Sequence, residues 1–63
     1  MKKQYLNIAE KASDLERQRN WLAASKHWQN AVSIAPAGSR DRAWAIARLE
    51  FCCHREGIKT PAY

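Results

Sequence analysis

Most of the patterns that usually carry chemistry are missing from this chain. No apolar run reaches the length of a membrane span, and the N-terminal MKKQYLN has the lysines of a signal peptide without its apolar core. The expected compartment is therefore the cytoplasm, with no membrane partner. There are only two cysteines, Cys52 and Cys53, and they are neighbours. A bond between them closes no useful loop, so a disulfide framework is excluded. Together with His54 they form a contiguous trio whose side chains point about 100° apart on a helix and cannot converge on one tetrahedral ion. The thiols read instead as small buried hydrophobes. There is no glycine-rich phosphate loop, no HExxH and no readable Ser/His/Asp order, and His27 and His54 stand alone. The expectation is a protein that is not an enzyme and holds no metal or cofactor.

What the chain does have is helix-forming pattern and positive charge. Its 63 residues make one domain, and a chain this short buries only about 60% of the surface its unfolded form exposes. Without staples, such a domain leans on a partner. The net charge is +5, which suits nucleic acid or an acidic protein surface. The eleven basic residues are dispersed from Lys2 to Lys59, which is weaker evidence for DNA than a basic arm.

The segment Trp21 to Ala35 organises the rest. Trp21, Ala24, Trp28, Ala31 and Ala35 recur at helical spacing and mark the buried face of a central helix. Before it, Tyr5, Ile8, Ala12 and Leu15 mark the inner face of a first helix from about Lys3 to Arg19. Asp14–Arg17 and Glu16–Arg19 are expected as ion pairs along its outer side. Asn20 either ends that helix in a left-handed conformation or caps the next, and the short link folds the two into an antiparallel hairpin. Pro36-Ala37-Gly38-Ser39 is a strong break, with Ser39 as N-cap of a third helix and Asp41 in its first turn. That helix is expected from Arg40 to about Arg55. Gly57 is its left-handed terminator, with Ile58 folding back toward Cys53. The domain spans 1–58, and 59–63 is a loose tail.

The third helix carries two apolar stripes. Trp44, Ala47 and Phe51 lie on one side; Ile46, Leu49 and Cys53 lie on the other. One stripe covers the hairpin and the other needs a partner or a second copy. The reading assigns Trp44, Ala47 and Phe51 to the core with Ile8, Ala12, Leu15, Trp21, Ala24, Trp28 and Ala31. It assigns Ile46, Leu49 and Cys53 to a partner surface, with Leu22 beside them and Arg42 and Arg48 at the rim. Leu6 also points away from its helix's main face. Arg40, Arg42, Arg48 and Arg55 do not form a polar, basic face of the kind that reads a DNA groove, so direct DNA contact is disfavoured. The expected fold is all-α: a helical hairpin plus a third helix, in a small, self-associating three-helix domain.

The pattern A-x2-LE-x4-W-x2-A-x3-W-x2-A, from Ala12 to Ala31, is followed by W-x2-AR-x2-FC, from Trp44 to Cys52. The combination resembles the ANR family, small negative regulators of AraC-type activators, and is similar to the PerC type of virulence regulator. The first half alone also resembles one tetratricopeptide hairpin, but a single repeat lacks the stacked neighbours it needs. The ANR resemblance implies a cytoplasmic regulator that binds an AraC/XylS-type activator and blocks its dimerisation or DNA binding. By analogy it implies contact with a nucleoid protein of the H-NS type. The PerC resemblance implies an activator that touches DNA directly, and the hairpin resemblance a simple adaptor.

Overall fold

In the computed structural model, residues 2–60 are described, with side chains from Gln4 onward. The described residues form three helices: α1 (Lys2–Arg17), α2 (Trp21–Ile34) and α3 (Arg40–Glu56). No strand occurs among the described residues. The domain is all-α and, as expected, is a hairpin joined by a third helix. α2 lies between α1 and α3 and packs against both. The molecule is a slab of 29 × 23 × 13 Å, so thin that each outer helix keeps one side in solvent.

Two helix ends follow from local sequence. Ser39 caps α3, its side-chain oxygen accepting the Arg42 backbone N–H at 3.1 Å. Gly57 adopts φ 75°, and the N–H of Ile58 returns to the Cys53 carbonyl at 2.9 Å. That double-backed ending satisfies carbonyls that would otherwise lack donors. Between α2 and α3, Ala35 is extended before Pro36. Gly38 then takes φ 77° in a turn closed by Ser39 N–H on the Pro36 carbonyl.

The α1–α2 link differs from expectation. α1 ends at Arg17, and it is Arg19, not Asn20, that turns left-handed, with φ 61°. Asn20 N–H then reaches the Leu15 carbonyl at 2.8 Å, the same ending that Gly57 gives α3. Asn20 makes no side-chain cap to α2. Of the expected tail 59–63, residues 61–63 lie outside the described residues; Lys59 and Thr60 are not helical.

The core packs small residues around the enclosed Trp28 ring, with Tyr5 and Leu49 as its other large side chains. Ala12, Ala24, Ala31, Ala35 and Ala45 are buried, and with them Tyr5, Val32, Leu49, Cys52, Cys53 and a fully enclosed Trp28. Ile8, Leu15, Trp21 and Ile46 pack around this cluster and are half-buried. The alanines let backbones approach closely and leave room for the indole.

α3 is turned the opposite way from the expected one. Leu49 and Cys53, read as partner surface, are both 1% exposed and belong to the core. Trp44 and Phe51, read as core, are 55% and 39% exposed, and Ala47 is exposed with them. The reason is steric and electrostatic. The alanine face of α2 admits α3 closely where α3 brings the small side chains of Ala45, Cys52 and Cys53, and Leu49 fills the remaining space between them. Trp44 and Phe51 share their stripe with Arg48 and Arg55, so burying the rings would drag two guanidinium groups out of water.

Candidate functional site

The three helices meet at one carboxylate. Glu16, near the end of α1, turns inward and is largely buried. Its Oε2 accepts the Trp28 indole N–H at 2.5 Å, Arg48 Nε at 3.3 Å and the Cys52 thiol at 3.4 Å. Its Oε1 accepts a further bond from Arg48 Nη2. α1, α2 and α3 each contribute to this knot, and no buried side-chain polar atom among the described residues lacks a partner. The expected Glu16–Arg19 pair does not form, because the left-handed turn at Arg19 takes that residue off the helical register. Asp14 and Arg17 do pair, on the exposed side of α1.

The knot tunes its neighbours. Hydrogen bonding to Glu16 holds the Arg48 guanidinium more firmly protonated than usual. Burial, then the nearby Glu16 carboxylate, pushes the Cys52 thiol up to about 12. Burial also raises Cys53. Both thiols therefore stay protonated and poorly nucleophilic at neutral pH. A second α1–α3 link is Tyr5, whose hydroxyl donates to the Asp41 carbonyl at 2.9 Å. Burial first, and Asp41 second, raise its pKa.

Arg48 connects the knot to the outer surface. While Glu16 holds one side of its guanidinium, the group lies 4.7 Å from the Phe51 ring centre and 5.7 Å from that of Trp44. Two turns along, the Arg55 guanidinium lies 5.3 Å from Trp21 and 5.4 Å from Phe51. Trp21 meets Phe51 edge to face at 5.6 Å. Three rings and two arginines thus form one continuous outer face. Beside it, an open groove of about 430 Å³ runs between the helices, lined by Ser13, Glu16 and Arg17, by Trp21, and by Trp44, Arg48 and Phe51.

The residues read from sequence as a partner surface do not come together. Leu49 and Cys53 are inside, and Ile46 is half-buried against the core. Arg42 is occupied in closing the α2–α3 turn, donating to the Val32 carbonyl at 3.0 Å. Leu22 is exposed on α2, and Leu6 on α1. Of that set, only Arg48 belongs to the outer aromatic face. Glu16 was missed because an outward Glu–Arg pair and an inward carboxylate have the same helical spacing. The one signal available was the i, i+4, i+7, i+11 alternation Trp44–Arg48–Phe51–Arg55, which puts arginines on the aromatic stripe.

Nothing in this geometry forms a metal centre: no group of three or more His, Cys, Asp or Glu side chains converges among the described residues. No helix among them is long and apolar enough to cross a membrane. Fold and face together define a small three-helix domain whose aromatic side is turned to solvent. The chain matches no family model, no curated protein and no solved structure.

Proposed function

We propose that this chain is a small regulator that works by protein contact, covering a segment of an AraC/XylS-type activator so that it cannot dimerise or bind DNA. The observation that carries the protein-contact reading is the exposed Trp44–Phe51 face with its two arginines. Trp and Arg are the side chains most often found as anchors of protein interfaces. An aromatic face this open on so small a domain supports an interaction site. The activator class comes from the resemblance carried by Ala12 to Ala31 and Trp44 to Cys52.

The test is light scattering after gel filtration, with the chain alone and with a purified AraC/XylS-type activator. A mixed complex that needs Trp44 supports the reading, and so does loss of the activator's operator binding. An activator that elutes unchanged and keeps its operator would refute it. The net charge of +5 is also compatible with a second reading, a PerC-like protein on DNA. Direct DNA binding would weaken steeply with salt, whereas an apolar protein contact would change little.

A further inference from the structure

Resting on the protein-contact reading, we infer what kind of segment the face takes: an acidic amphipathic helix, lying along the groove between α1 and α3. Its apolar side chains meet Trp44 and Phe51, and its carboxylates meet Arg17, Arg48 and Arg55. Trp44 and Phe51 are seven residues apart, two turns of α3, or about 10 Å along its axis. A partner helix with apolar residues at i, i+3 or i+4, and i+7 matches that spacing.

Charge selects the occupant. The face presents arginines from both sides of the groove, on a chain of net charge +5. Glu16 is already committed to Arg48, Trp28 and Cys52. Arg17 is held only by an exposed pair with Asp14, which exchanges readily for another carboxylate. Apposing the same face of a second copy would set arginines against arginines. Stacked nucleobases are disfavoured for another reason: Trp21, Trp44 and Phe51 each already carry a guanidinium over the ring. Guanidinium groups held in this way still offer in-plane N–H donors outward, the geometry a carboxylate needs.

The experiment uses the full chain, labelled with ¹⁵N, and two end-blocked peptides of about 18 residues, long enough to be helical. Both carry leucines on one face. One flanks them with glutamates, the other with lysines. The glutamate peptide should shift the indole N–H signals of Trp44 and Trp21 and bind at least about tenfold more tightly than the lysine peptide. Trp44→Ala should abolish binding while leaving the helical circular dichroism unchanged, and Arg55→Glu should narrow or reverse the charge preference. Equal binding of the two peptides overturns the proposal. So does an oligothymidylate that shifts the same signals, or a homodimer that Trp44→Ala dissolves. If neither peptide binds but an AraC/XylS-type activator co-elutes through Trp44, the acidic helix is wrong and the regulator reading stands. If the glutamate peptide binds and the activator does not, the acidic helix stands and the regulator reading falls.

Discussion

The indole N–H of Trp28, on the central helix, ends on the Glu16 carboxylate at 2.5 Å, at the point where Arg48 also arrives from the third helix. The largest buried ring and this inward-turned carboxylate are thus one unit. A nearly buried carboxylate costs stability unless its acceptors are filled, and here an indole, a guanidinium and a thiol fill them. Removing the carboxylate leaves the Trp28 donor without an acceptor and Arg48 without its counter-charge. Glu16→Ala should destabilise the domain by about 2–4 kcal/mol, with Glu16→Gln milder because it keeps an oxygen acceptor. Urea unfolding followed by circular dichroism measures both; a change within error for Glu16→Ala would mean that the knot contributes nothing net.

Inner and outer tryptophans should behave differently. Trp28→Ala should cost about 3–5 kcal/mol, much of what a domain this small has, and leave it largely unfolded. Trp44→Ala should stay within about 1 kcal/mol, since the ring is mostly in water and loses chiefly its contact with Arg48. Leu49→Asp belongs with Trp28→Ala: it puts a charge where the side chain is 1% exposed. Melting curves of the three variants decide the orientation of α3. A well-folded Leu49→Asp would contradict it.

Two of the three left-handed residues among those described, Gly57 and Arg19, should respond with opposite signs. Gly57 has φ 75° with open space where a Cβ would stand, so Gly57→Ala suffers only the backbone penalty, about 1–2 kcal/mol. Arg19 already carries that penalty at φ 61°. Arg19→Gly should therefore stabilise, by roughly 0.5–1 kcal/mol after glycine's greater unfolded-state entropy is subtracted. Thermal melts on both variants test this, and a destabilised Arg19→Gly would count against the turn as described.

Stability should fall as the pH rises above about 9. The Cys52 thiol, normally near 9.0, is pushed up to about 12 in the folded chain by burial and by Glu16. Below pH 9 both folded and unfolded chains hold the proton, and the full stability is present. Between 9 and 12 the unfolded chain releases the proton and the folded chain does not, so stability falls as pH rises. Cys53 and Tyr5, also raised by burial, act with the same sign. Denaturant midpoints measured from pH 7 to 10.5 should decline in the natural chain and decline less in Cys52→Ala. Parallel curves would show that this thiol is not protected.

How far the structure was legible in the sequence depended on how local each signal is. Ser39 and Gly57 were readable because a cap is decided within four or five residues. The core alanines Ala12, Ala24 and Ala31 were readable for a similar reason, since one helix has one dominant inward face. The left-handed residue at the first turn was missed by one position, because Arg19 and Asn20 both fit the spacing and tertiary packing chose. The orientation of α3 was not legible from period alone. Ile46–Leu49–Cys53 and Trp44–Ala47–Phe51 have the same helical spacing, and the choice rested on how close α2 lets a neighbour come. The candidate site suffered most, since turning α3 over exchanged Leu49 and Cys53 for Trp44 and Phe51, and only Arg48 remained on the face.

The two sides of α3 carry separate tasks. Ala45, Leu49 and Cys52 fix the fold on one side; Trp44, Phe51 and Arg55 meet the solvent on the other. Random change would therefore be filtered unevenly along this helix. Variants at Trp44, Phe51 or Arg55 could pass from one binding preference to another as folded proteins at every step, while Arg48, tied to Glu16, would resist replacement. A lineage of such chains would diverge fastest on the outer aromatic face, which is the face proposed above for binding.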